Sequence, residues 1–467
     1  MTLATIRQEL WDGKICQQID LGLVQEVLPQ TLIETLLETY QMWETRERKL
    51  NMVALVYWLI ALHLYPHESQ RDVYAKLVSG LRVFRDEVAE ETPVKSAFSY
   101  RRAQLGSELL EELFAQLAGP KATEQTPGAF WKGLRLLALD GTVESVPDTW
   151  SNWETFSYST DDPQSHSPFP LARLVLLVEC ATHLMCDAEL SSCRQGEATS
   201  QRLLLERWRW EGCLLLWDSG FHSSTAIFAV SRQGGHVLGR LKSNTLLKRH
   251  ATLGDGSYLT FLFEDQDHHK GASMLVRVIE YRFTDPRIPG AGTQVYRLVT
   301  TLLDPFRYPA QELAVLFHER WHVELVIGET RTALRLSERT LRSLTADGVR
   351  QEIYALLLAH TVIRTLMLRA AEAGGIAPTC LSFTGTIQIM EQSRISLGMV
   401  TAERRAHLVR GLFQEIGTLQ LPRQCKRFCA RVVKRVRSRY ERKKPEHWHA
   451  PPLEEDLDFA QIIALVV

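Results

Sequence analysis

The chain has 467 residues, 45% hydrophobic and 23% charged, with a formal net charge of −1. This is the make-up of an ordinary globular protein with room for roughly three domains. Overall basicity of the kind that announces nucleic-acid binding is absent, so any such contact must come from local patches. Eight cysteines, among them Cys16, Cys180, Cys213 and Cys380, are scattered singly, unlike the dense framework of small secreted proteins. The start of the chain lacks a basic region followed by an apolar core, and the apolar stretch 52–64 contains His63 and is too short to span a bilayer. A cytoplasmic protein without a membrane partner is expected.

Apolar residues recur at helical spacing over 21–40, 50–64 and 69–84. Thr92 can cap a further helix and Pro93 can open it; Arg101 and Arg102 lie on that helix, and Gly106 separates it from another over 109–117. Short helices joined by tight turns, with Arg101 and Arg102 on one of them, fit a helix-turn-helix-like DNA reader. A helical bundle with solvated arginines fits equally well. Residues 1–117 are thus expected to form a helical N-terminal DNA-binding domain, followed by a turn-rich linker over 118–133.

Beyond the linker the pattern changes to strands, at 134–139, 171–179 and 214–217, with a helix over 200–210 before the third. Gly- and Pro-separated runs at 257–263, 273–283 and 293–303 read as a β-rich insertion over 236–304. Helices return at 309–335 and 348–372. The expected core therefore comprises 134–235 and 305–375, and 376–467 is a basic, helical C-terminal region. Its dense basic run includes Lys434 and Arg435 and is mixed with Phe428, Tyr440 and Trp448, which suits salt-sensitive contacts to a DNA backbone. Cys425, Cys429, His447 and His449 fall outside the usual zinc-finger spacing and read as ordinary residues.

Two of the strands lead into aspartates. Leu137-Ala138-Leu139 is followed by Asp140-Gly141-Thr142, and Leu215-Leu216-Trp217 by Asp218-Ser219-Gly220-Phe221. Taken singly, each reads as a carboxylate in a strand-end turn. A helix with Phe317, Arg320, Glu324 and Arg331, at steps of three, four and seven, places all four side chains near one face. Asp140, Asp218 and Glu324 together would suit hard divalent cations, which take oxygen ligands and leave positions for phosphate. Two such ions about 4 Å apart serve in-line phosphoryl displacement.

On these motifs the sequence resembles the DDE transposases of insertion sequences, specifically the IS-four family. Asp140-Gly141-Thr142 matches the family's first motif, Asp218-Ser219-Gly220-Phe221 its second, and Arg320 with Glu324 the core of its Y-x2-R-x3-E-x6-K signature. Phe317 stands where the signature has Tyr, Arg331 where it has Lys, and Ser219 where relatives often carry Arg. The resemblance covers almost the whole chain. It implies an α/β fold with an RNase H-like catalytic core, a β-rich insertion and flanking helical regions. It also implies Asp140, Asp218 and Glu324 as catalytic and metal residues for two Mg2+ ions, which Mn2+ can replace.

The implied substrate is double-stranded DNA, cut at terminal inverted repeats to leave a 3′ hydroxyl that joins target DNA, with a homodimer in the DNA complex. In relatives the ends pass through a hairpin, which calls for an aromatic residue to receive an extruded base. Tyr296 matches in position, against the plainer reading of a strand tyrosine. Arg240 and Lys242 alternate on an expected strand and could track phosphates, or face solvent. Phe317, Arg320 and Arg331 complete the expected DNA contacts. Competing readings are a domesticated DNA-binding derivative, a metal nuclease without strand transfer, and a helical interaction protein with an accidental acidic triad.

Overall fold

The computed structural model describes residues 22–42, 50–82, 93–160, 167–242, 244–264, 271–286, 288, 290–335, 340–398, 400–422 and 463–466. The chain opens with helices α1 (Val24–Val27), α2 (Gln30–Thr39), α3 (Met52–Leu64), α4 (Gln70–Arg82), α5 (Lys95–Leu105) and α6 (Glu108–Leu117). Next come β1 (Phe130–Trp131), β2 (Leu134–Ser145), α7 (Trp150–Phe156), β3 (Leu171–Glu179), β4 (Met185–Ser192) and α8 (Glu197–Arg207). They are followed by β5 (Cys213–Trp217), α9 (Ser224–Arg232), β6 (His236–Arg240), β7 (Ala251–Thr252), β8 (Tyr258–Phe263), β9 (Ser273–Phe283) and β10 (Tyr296–Thr300). Then follow α10 (Ala310–Leu316), a 3-10 turn (Phe317–Arg320), α11 (Trp321–Thr332), α12 (Ala346–Gly374), α13 (Phe383–Gly398), α14 (Ala402–Thr418) and β11 (Ile463–Leu465).

These elements form two compact units. The first takes Met1–Ala129, Gly141–Gly196 and Glu324–Gln420; the second takes Phe130–Asp140, Glu197–Val323 and Leu421–Val467. The helical head thus shares a unit with later parts of the chain instead of standing apart as 1–117.

The first unit is built on α12. This 29-residue helix starts at Thr345, whose hydroxyl accepts from the Gly348 N–H at 3.2 Å, and stops at Gly375, whose φ of 62° is left-handed. Residue types with a Cβ rarely adopt that conformation, so a glycine there ends the helix cleanly. Helices α3, α6 and α14 pack on α12. All thirteen residues of α3 are buried, as an all-round apolar sequence requires. Each buried Leu, Ile or Val there contributes about 1.5–3 kcal/mol. By length and composition α12 could cross a membrane, but its apolar window is 94% buried inside the protein, as in a core helix. The antiparallel pair β3–β4 also belongs here, in the order β4-β3-β2, with a register shift between Leu177 and Val178.

The second unit contains the strand order β2-β5-β6-β10-β9-β8-β7. Strands β2, β5 and β6 are mutually parallel, with α9 connecting β5 to β6. The antiparallel strands β10, β9, β8 and β7 extend the sheet from β6, and β11 pairs with β9. This is the mixed α/β architecture expected of an RNase H-like core that carries a β-rich insertion.

Three local expectations change. Because β6 pairs in parallel with β5, it belongs to the core sheet, and the insertion begins after Arg240 instead of at 236. The expected helix 309–335 is divided into α10, the 3-10 turn and α11. Helix α5 is capped by Val94 without a side-chain bond; Thr92 lies outside the described residues.

Candidate active site

Strands β2 and β5 are paired so that Leu139 faces Trp217. Leu137, Leu139, Leu214, Leu216 and Trp217 are fully buried, which is why these short apolar runs take a parallel, two-sided position in the sheet. The next residue on each strand is an aspartate, so Asp140 and Asp218 emerge side by side. Their side chains are 23% and 41% exposed, enough to be reached from solvent.

The two carboxylates have different local settings. Strand β2 continues through Gly141 and Thr142 to Ser145, so Asp140 lies within a strand and the strand-end turn read from Asp-Gly does not form. Asp218 does end its strand. Its carboxylate caps the 3-10 turn Ser219–Phe221 by accepting from the Ser219 N–H at 2.7 Å. Each aspartate has its own guanidinium: Arg320 Nη1 is 3.6 Å from Asp140 Oδ2, and Arg240 Nη1 is 3.8 Å from Asp218 Oδ1. Two adjacent carboxylates repel one another, and these cations offset that repulsion.

Behind Arg240 lies an aromatic cluster. The guanidinium sits 5.0 Å above the Tyr296 ring, which stacks on Tyr281 at 5.4 Å and meets Phe283 edge-on at 5.1 Å. Burial pushes the Tyr296 hydroxyl up in pKa, with Arg240 opposing. Tyr296 is therefore a half-buried strand tyrosine within a packed group. Burial also pulls His222, just past the 3-10 turn, down to about 4, assisted by the positive charges of Lys242 and Arg297.

Glu324 lies in the first turn of α11 and Arg331 in its last. In the first unit, Arg331 Nη2 donates to the Val143 carbonyl at 2.7 Å and its Nε to Glu144 Oε1 at 3.3 Å. Arg335 forms a close ion pair with the other oxygen of Glu144. Arg331 thus ties α11 to the end of β2, at the two residues that follow Gly141-Thr142. Neither Glu144 nor Arg335 was identifiable from sequence, because nothing in their local pattern marks a partner so distant along the chain.

Several expected DNA contacts fall elsewhere. Phe317 is 7% exposed and packs in the core, as an apolar ring at that position prefers, so it offers no surface to phosphate. Arg101 donates to the Leu50 carbonyl at 3.1 Å and to Gln104 at 2.6 Å. Arg102 bridges Gln351, Ser343 and the Gly348 carbonyl at 2.8–3.0 Å. Both arginines satisfy the backbone and side chains of their own helical unit instead of facing out as readers of DNA. Arg240 ends β6, so the exposed Lys242 lies past the strand and does not alternate with it. Lys434, Arg435 and the rest of the basic run lie outside the described residues.

Asp140 and Asp218 form an all-oxygen donor pair suited to a hard divalent ion. Among the described residues no three His, Cys, Asp or Glu side chains are gathered into a ready-made cage. Ions of the magnesium type do not need one, since they bind through one or two carboxylates with phosphate oxygens and water completing the shell. The donor set therefore fits.

Neighbouring aspartates on parallel strands of a mixed sheet, each beside an arginine, suit the class of metal-dependent phosphoryl-transfer enzymes. Residues 131–362 match the family described as "Transposase DDE domain", and residues 18–115 match "Insertion element 4 transposase N-terminal". The chain belongs to the IS4 family of DDE transposases. It is a DNA transposase, an endonuclease and strand transferase of a family that works with divalent metal ions.

Among its relatives is the transposase InsG for insertion sequence element IS4 of Escherichia coli (strain K12), 27% identical over 392 residues, 83% of this chain and 86% of the relative. The putative transposase InsZ of the same strain is 24% identical over 181 residues, 38% of this chain and 58% of the relative. A cryo-EM structure of the piggyBac transposase synaptic complex with hairpin DNA aligns with 88% of this chain and 86% of that chain, at a TM-score of 0.44 and 11% identity.

Proposed function

We propose that the protein binds the terminal inverted repeats of an insertion element, cleaves the DNA there, and joins the freed ends to target DNA in a homodimer. Asp140, Asp218 and Glu324 hold magnesium in this reading, and manganese substitutes for it. The observation that carries the proposal is the Leu139–Trp217 register, which sets two solvent-reachable aspartates next to each other.

The bound ion supplies Lewis-acid polarisation of the scissile phosphate and a nucleophile at neutral pH. The chain's own residues do the rest. Arg320 and Arg240 stand beside Asp140 and Asp218 and offset part of the repulsion between the two carboxylates. The planar, multi-donor guanidinium is also the group best shaped to take two phosphate oxygens, so both arginines orient the DNA backbone when it arrives. The 3′ hydroxyl left by cleavage is the nucleophile for joining, and two element ends require at least two copies of the chain.

Asp140→Ala, Asp218→Ala and Glu324→Ala should each abolish magnesium-dependent cleavage of repeat-containing DNA while retaining its binding. Wild-type cleavage by any of the three removes that residue from the catalytic set. Pre-cut ends supplied with target DNA should yield joined product; cleavage without joining would mark a nuclease instead.

A further inference from the structure

Glu324 and Arg331 are seven residues apart on α11 and share one face. Glu329 is five residues past Glu324 and so projects about 140° away around the helix axis. On that opposite face its carboxylate meets a buried cluster of one arginine and two histidines within the first unit. His360 Nε2 donates at 2.9 Å and Arg364 Nε at 2.9 Å to Glu329 Oε2, and Arg364 Nη2 closes on Oε1. His183, from the turn between β3 and β4, brings Nδ1 to 3.6 Å of Oε1. The side chains of His360, Arg364 and His183 are 0%, 3% and 3% exposed.

A buried charge cluster of this kind adds little net stability compared with apolar packing, but it fixes geometry tightly. Donors from two residues of α12 converge on one carboxylate, with His183 of the β3–β4 turn packed beside it, so α11 cannot rotate about its axis without breaking several charge-assisted bonds. On the other face, Arg331 holds the same helix to Val143 and Glu144. We propose that Glu329 is a positioning residue for the DNA-cleavage reaction, fixing the rotation of α11 and with it the direction in which Glu324 is presented to a divalent ion. The inference rests on the reading of Glu324 as the third carboxylate.

The test uses the full chain with manganese as probe. In Glu329→Gln the manganese concentration for half-maximal cleavage should rise about tenfold or more, the usual effect of losing a support behind a metal ligand. The upward shift in unfolding temperature that manganese gives the DNA-free protein should shrink in parallel, while repeat-DNA binding without metal stays unchanged. Because Glu329→Gln leaves Arg364 buried without its counter-charge, the double variant Glu329→Met/Arg364→Met provides a stable apolar replacement and should show the same manganese shift. A double variant that folds and keeps the wild-type manganese dependence in both assays overturns the proposal. Glu324→Gln separates the two claims: normal cleavage there removes the reading of Glu324. Loss of cleavage in Glu324→Gln, together with unchanged manganese dependence at position 329, removes only the positioning role.

Discussion

Gly239 on β6 lies against the indole of Trp217, its cross-strand partner on β5. A methyl group at 239 would overlap the ring, with its carbon 2.6 Å from Trp217 Cδ1. Each of the two residues directly precedes a charged member of the site, Asp218 after Trp217 and Arg240 after Gly239. Gly239→Ala should therefore force the strands apart and move that ion pair. Overpacking of this kind destabilises by about 1–3 kcal/mol. Urea denaturation should show the loss, and cleavage by the remaining folded protein should also fall. A wild-type unfolding midpoint would show that the strands yield freely.

Asp218 has two roles that one pair of substitutions can separate. Asparagine keeps an oxygen to cap the Ser219 N–H but loses the charge; alanine loses both. Asp218→Asn should be inactive with nearly wild-type stability, whereas Asp218→Ala should also lose about 1 kcal/mol. Appreciable cleavage by the asparagine variant would rule out the need for a charged ligand.

Arg331 occupies the position where the family signature has Lys, and its guanidinium reaches two acceptors on β2. A lysine ammonium is a point donor and cannot reproduce that fork. Arg331→Lys should lower stability by about 1 kcal/mol and reduce cleavage, with no gain from restoring the family residue. Increased activity would show that the guanidinium geometry hinders the reaction.

Burial pulls the His63 imidazole down to about 3, and the positive charges of Arg342 and Arg335 add to the effect. The folded protein keeps His63 neutral, while the unfolded chain takes up a proton once the pH falls below 6.5. Between pH 6.5 and about 3 the unfolded state thus binds more protons, and stability must rise with pH. The contribution is complete above pH 6.5 and is lost as the pH falls through the window. Its full size is on the order of 3–5 kcal/mol. His63→Gln should flatten this part of the pH–stability curve relative to wild type, as read from denaturant midpoints at several pH values. Parallel curves would exclude the histidine as the source.

The elements most legible in the sequence are those whose signal is local. Strands β3 and β9 follow from continuous or alternating apolar runs, and α3 from thirteen residues with almost no polar interruption. By contrast β4, with Cys186, Asp187, Ala188, Glu189 and Ser191 in its length, lacks the β-branched and aromatic residues that announce a strand. Asp140 and Asp218 were visible because each follows a buried run. Their adjacency depends on the parallel pairing of β2 with β5, which spacing cannot reveal. Arg101 and Arg102 show the reverse failure: two adjacent arginines look solvated until their partners, such as Gln351 and Gly348, are brought in from far along the chain. The partners of Glu144 and Glu329 likewise lie far along the chain, beyond the reach of local pattern.

The order of synthesis places one demand on this fold. Helix α3 is apolar on every side and is buried partly by α12, which is encoded near the other end of the chain. At 5–20 residues per second, the ribosome leaves α3 without that partner for on the order of tens of seconds. During that interval the nascent head exposes a sticky helix, so holding by a chaperone would favour correct assembly. Gene copies truncated ahead of α12 should therefore yield aggregates instead of a free, folded N-terminal fragment.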